Sequence, residues 1–223
     1  MDSLNKGRLF ALALALAPMA AAAQTNEPQP GTPAENQDFK VEVEPPKAGS
    51  LRAQALAALE QTETLTLYSL EPWQAPRVPT AWHKLPEAKR SGRIDALFEK
   101  DRRRWCRGYA CIDANRVLGR VETSGADRLV VLQAARESLG KVPNFGYACG
   151  AVYRHALAFA DQAHRYEVLL CYHCGQVKVV VDGKQDSGDG QAYEMSDLRA
   201  INAILTRAGV PLSKDADAKG EDE

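Results

Sequence analysis

The stretch AVYRHALAFADQAHRYEVLLCYHCGQVKVVV, residues 151–181, decides the fold. It is rich in Val, Leu, Tyr and Phe and is cut by two short polar breaks, the pattern of strands joined by tight turns. Strands are predicted over 151–159, 165–171 and 177–182. Connections this short cannot make a parallel crossover, so the three form an antiparallel meander. Tyr166, Val168 and Leu170 fall on one side of the middle strand, and Val177, Val179 and Val181 on one side of the last. Asp182-Gly183 ends the meander in a turn. The polar loop beyond it holds Asp186 and Asp189 but lacks the Asp-x-Asp-x-Asp-Gly spacing of a calcium loop.

Downstream, residues 197–208 read as a helix. Ser196 is placed to cap it, Leu198, Ile201, Ile204 and Leu205 make an apolar stripe, and Gly209 and Pro211 end it. Upstream, 124–139 reads as a second helix: Ser124 and Asp127 resemble a capping box, and Leu129, Leu132, Ala135 and Leu139 line one face before Gly140. Further helices are read over 51–63, behind Ser50 as cap, and over 93–104. Strands are read over 65–70 and 117–122. Pro72, Pro76, Pro79 and Pro86 make an irregular crossing in which Trp73 and Trp82 are expected to pin the chain to the core. The expected class is α+β: an antiparallel meander sheet with helices packed on one face.

The two ends differ in composition from this middle. Residues 1–23 follow the secretory pattern, with Lys6 and Arg8, then an uncharged run from Leu9, then Ala21-Ala22-Ala23. The apolar run of residues 9–23 is shorter than the ~20 residues that a spanning helix needs. A signal peptide cleaved after Ala23, and hence a periplasmic protein, is expected. The first cysteine is Cys106, so a lipid anchor has no attachment site near the cut. Residues 24–50 hold Pro28, Pro30, Pro33, Pro45 and Pro46 without apolar periodicity and are expected to be a disordered tether. Residues 213–223 are expected to be a disordered acidic tail. Between them, 51–212 is expected to be a single domain.

The net charge is −1, which points to no class of partner by itself. The segment from Lys84 to Arg107 is different, with nine basic residues against four acidic ones. It reads either as a solvated helix face with Trp105 turned inward, or as a contact for an acidic partner or anionic lipid. Nucleic acid is not expected as a partner of an exported chain.

The chain has five cysteines. In an oxidising compartment disulfides are the default, and an odd number leaves one over. Cys106 and Cys111 lie close enough in sequence for a local disulfide. Cys171 and Cys174 form CYHC, the spacing of thiol-disulfide oxidoreductases, but a Val-rich strand follows where that fold has a helix. If residues 160–164 close the first hairpin, Tyr153 stands opposite Cys171 and Cys149 falls beside Cys174. Three sulfurs would then meet at one end of the sheet. They could form a disulfide with one thiol left, or three ligands of a zinc site completed by His155 or His173. His155 lies about 20 Å from Cys149 along a continuous strand, so it could join only if residues 150–154 turn.

The segments LYSLEPW (67–73), RVLGRVE (116–122), CGAVYRHAL (149–157) and LLCYHCGQVKVV (169–180) resemble a group of bacterial exported proteins. The group pairs a Cys followed by Arg-His with a CxxC turn before a Val-rich strand. A Pro commonly precedes its Arg-His pair, where this chain has Tyr153. The resemblance implies export and no particular activity. No nucleophile–base pair, phosphate loop or paired-carboxylate motif is legible. The expected role is a binding or accessory module stabilised by disulfides and needing no cofactor. Zinc binding at Cys149, Cys171 and Cys174 and thiol-disulfide exchange at CYHC are the alternatives.

Overall fold

The computed structural model describes residues 40–146, 148–185 and 190–215. In chain order the elements are β1 (Val43–Glu44), α1 (Leu51–Leu59), β2 (Leu65–Glu71), a 3-10 turn (Thr80–Lys84), α2 (Glu87–Trp105), β3 (Cys111–Ile112), β4 (Asn115–Thr123), α3 (Gly125–Gly140), β5 (Val142–Pro143), β6 (His155–Ala160), β7 (Arg165–Cys171), β8 (Gln176–Val181), β9 (Lys184–Gln185), β10 (Gly190–Gln191) and α4 (Leu198–Arg207). The expected signal peptide, most of the expected tether, the loop at 186–189 and most of the expected tail lie outside the described residues.

The class is α+β. The meander β6–β7–β8 is extended on one side by β2, β4 and β3 and on the other by β10, giving the order β10-β8-β7-β6-β2-β4-β3 with β9 beside β8. Every pairing is antiparallel. β2, read from the sequence as a strand over 65–70, is a central strand hydrogen-bonded to both β4 and β6. It is therefore buried on both faces, with only Thr66 and Glu71 half-exposed.

The first meander strand begins at His155, four residues later than expected. Its register also differs by one. The Asp161 carboxylate accepts the N–H groups of Ala163 and His164, and the Asp161 N–H donates to the His164 carbonyl, so the turn closes in four residues. Ala160 then pairs with Arg165 and His155 with Leu170. A slip of one residue exchanges the faces of a strand, and the consequence falls on His155.

One face of the sheet carries Leu65, Leu67, Leu157, Phe159, Tyr166, Val168, Leu170, Val177, Val179 and Val181 under α1, α3 and α4. At roughly 1.5–3 kcal/mol for each large apolar side chain taken from water, this layer dominates stability. Arg52 of α1 is buried within it. Its guanidinium donates to the carbonyls of Ser138, Leu139, Lys141 and Gln191, which supplies the C-terminal end of α3 with donors it otherwise lacks. Burial lowers its pKa to about 10, and it remains a cation at neutral pH. A Cβ on Gly190 would stand 2.7 Å from its Nη1, so β10 can approach there only as glycine.

Several local expectations are corrected. Leu129 is 64% exposed, while Leu132, Ala135 and Leu139 of the expected face are buried together with Val131, Ala134 and Ser138. Ser124 makes no side-chain cap bond, and Asp127 pairs with Arg207 of α4. α4 is capped by Asp197, which accepts from the Arg199 N–H, while Ser196 is hydrogen-bonded to Tyr172 Oη. The body begins before residue 51: β1 pairs with β5, and Asn144 bonds the Glu42 N–H and the Lys40 carbonyl. It also runs past 212, since Ser213 is buried and the Lys214 carbonyl accepts from Arg154.

Candidate functional site

The second face of the sheet carries a smaller apolar cluster: Tyr68, Leu70, Ile112, Tyr153, Ala156, Ala158, Leu169, Cys171, Cys174 and Val180. Lys178 shares this face, because Val177 and Val179 point the other way. Its Nζ lies 2.7 Å from Asp113 in the β3–β4 turn. β8 and β3 sit near opposite edges of the sheet, so this ion pair spans the curl and makes the second face the concave one. The turn that carries Asp113 is strained. Asp113 and Ala114 have φ of 45° and 63°, at roughly 1–2 kcal/mol per residue. Asn115 holds the turn by donating to the Ile112 and Asp113 carbonyls.

α2 stands over the mouth of this face. The helix has 19 residues and none of them is buried. It was expected over 93–104 and starts earlier, directly behind Pro86, because no proline after Pro86 interrupts it. Its attachments are few and specific. Trp73 donates its indole N–H to Asp101 at 3.0 Å, meets Phe98 edge-on at 5.5 Å, and lies under Arg102 at 4.5 Å. Trp82 lies under Arg93. Both tryptophans therefore hold the crossing to α2 and not to the core as expected. At the end of α2, Arg116 is layered between Trp105 at 3.6 Å and Tyr109 at 4.0 Å and donates to the Trp105 carbonyl. Cys106, the residue that caps α2, is bonded to Cys111 at the start of β3 with Cα atoms 6.0 Å apart.

Between α2 and the concave face is a cleft of about 690 Å³. Trp73, Arg102 and Arg103 form one side, Asp113 and Asn115 another, and Ala151, Tyr153 and Lys178 the rest. A second cleft, of about 630 Å³, adjoins it on the side of Trp105, Arg154 and Lys214. Trp73, Ala75 and Ala151 border both.

The wall containing Ala151 is held by cysteine. Cys149 is bonded to Cys174 in the β7–β8 turn, with Cα atoms 6.4 Å apart. The Gln176 side chain donates to the Cys149 carbonyl. Cys171, fully buried, keeps a free thiol whose sulfur accepts the Val152 N–H at 3.2 Å. The structure thus brings Cys149, Cys171 and Cys174 together. It does not bring the histidines to them. His155 sits on the opposite face, its Nε2 2.7 Å from Asn202 Oδ1 of α4 and its ring edge-on to Tyr172. His173 is exposed in the turn. Two of the three sulfurs are spent in a bond, and among the described residues no group of three or more His, Cys, Asp or Glu is arranged to hold a metal ion.

Sequence reasoning missed Lys178, Asp113, Arg116 and Arg52. Lys178 alone carried a signal, as a charge inside a valine run. No protein-family model, curated protein or solved structure matches the chain.

Proposed function

We propose that the chain is an exported binding module whose contact surface is the outward face of α2, and that this face lies on an anionic headgroup layer. The observation that carries the reading is a 19-residue helix with no buried residue: an element the core does not require. Lys89, Arg93, Lys100 and Arg104 recur at helical spacing and are all exposed, so they form one basic stripe. Ile94 and Phe98 on the other side are half-buried, Phe98 against Trp73 of the crossing, and Leu97 beside the stripe is half-buried in a small cleft with Pro76. The helix therefore offers charge and no free apolar face, and its attachment is electrostatic, worth about 1 kcal/mol per Lys or Arg at an anionic surface. A row of exposed charges along one helix suits an extended anionic layer better than a pocket. Export is supported by the charged start, apolar run and small residues of residues 1–23, and by two disulfides, which persist in oxidising compartments.

The test is co-sedimentation with phosphatidylglycerol–phosphatidylcholine vesicles. Binding is expected at low salt and should disappear at about 0.5 M salt, where charges are screened within a few ångströms. The variant Lys89→Glu/Lys100→Glu should lose most binding, yet should unfold within about 0.5 kcal/mol of the parent because both residues are exposed and neither attaches α2 to the crossing. Failure of the parent to bind anionic vesicles at low salt refutes the lipid reading. Binding to a soluble polyanionic protein in its place moves the surface to an acidic protein partner.

A further inference from the structure

We infer that the three cysteines at the β7–β8 end of the sheet form an internal exchange unit, in which the Cys171 thiol attacks Cys174 and moves the disulfide from Cys149–Cys174 to Cys171–Cys174, freeing the thiol of Cys149. The sulfurs share one site. Cys171 and Cys174 belong to the same apolar cluster, and Cys149 packs against it. The Cys171 sulfur touches the segment that Cys149 anchors, through the Val152 N–H at 3.2 Å. The Cys174 sulfur lies 3.8 Å from the Gly150 carbonyl of that same segment. Cys171 ends β7 and Cys174 lies in the turn that follows, so both atoms of the new bond belong to one hairpin.

The step balances within the chain. A bond forms between Cys171 Sγ and Cys174 Sγ, the bond from Cys174 to Cys149 breaks, and the proton lost by Cys171 is regained by Cys149. One disulfide and one thiol are present before and after, so no oxidant or reductant enters. The direction follows from solvation. A leaving thiolate is favoured where water reaches it. Cys171 is 0% and Cys174 2% exposed, whereas Cys149 is only half-buried. The Val152 N–H points at the sulfur that carries the charge when Cys171 ionises to attack. The exchange has a structural consequence. Ala151 borders both clefts and Tyr153 one of them, so releasing Cys149 unpins the wall they share.

The test uses the full-length oxidised protein, held folded at pH 8 with iodoacetamide in continuous excess and mapped by peptic digestion in acid. Alkylation drains whatever fraction has exchanged, so even a minor form accumulates. One adduct should build up on Cys149, with a Cys171–Cys174 linked peptide appearing in equal amount. Cys171→Ser and Cys171→Ala, which retain the Cys149–Cys174 bond, should take no adduct over the same time. Adduct on Cys171 with the original bond intact, adduct on Cys149 in either variant, or no adduct until denaturant is added overturns the inference.

Discussion

The two faces of the sheet are closed by different physics. Under α1, α3 and α4 the closure is apolar packing organised around one buried cation, Arg52, whose donors serve both the end of α3 and β10. On the concave face there is no helix layer of that kind. Its closure is the Lys178–Asp113 ion pair, the two disulfides and the stacked Arg116. The first face is stabilised by area removed from water and holds wherever water is the solvent. The second is held by a few discrete links, leaves clefts beside them, and is the face whose geometry can change when one link changes. Apolar burial suits a core; point attachments suit a surface that must stay open.

The sharpest way to break this contrast is Arg52→Met. The methionine keeps the packing but leaves the carbonyls of Ser138, Leu139, Lys141 and Gln191 buried without their donor, so a loss of about 3–5 kcal/mol in urea unfolding is expected. A loss below about 1 kcal/mol would show that the convex face does not depend on its cation. On the concave face, Cys149→Ser opens a loop of sequence separation 25 and Cys106→Ser one of separation 5. The chain-entropy relation gives about 3.5 and about 2 kcal/mol respectively. The reverse order in unfolding midpoints would place the main restraint at the end of α2.

A smaller effect comes from Tyr172, which packs against the convex core and is hydrogen-bonded to Ser196. Burial pushes its hydroxyl up to about 12. The unfolded chain releases this proton near pH 10 and the folded one only near 12, so its contribution is intact below pH 10 and is lost as pH rises through 12. By linkage the loss is at most about 3 kcal/mol. Tyr172→Phe should flatten the fall in thermal midpoint between pH 10 and 12, and an unchanged slope would assign that fall to other groups.

Much of the fold was legible because it depends on local pattern. Period-two alternation fixes what a strand buries, so β7 and β8 were read nearly to the residue, and the stripe of α4 was read correctly even though its cap was assigned one residue early. The site was less legible. A hairpin closed by five residues puts His155 on the side of the cysteines; closed by four, through the Asp161 carboxylate, it puts His155 against Asn202. That single residue of register separates His155 from the cysteines, while the Cys149–Cys174 bond takes two of the three sulfurs. The tryptophans of the crossing were expected in the core because bulky aromatics usually are, but the neighbours they pack on belong to α2, which no local pattern could announce.

The α+β class, the meander, the helical stripes, the local Cys106–Cys111 loop and the meeting of Cys149 with the CYHC turn could all be read from the residues alone. These follow from spacing and periodicity, which act over a few residues or across one hairpin. Which sulfur stays free, which face His155 occupies, that α2 stands away from the core, and that Lys178 reaches Asp113 across the curl emerge only in the assembled fold. Each depends on how strands distant in sequence twist and close on one another, and that closure is set by the summed packing of the whole sheet, of which no single segment carries a record.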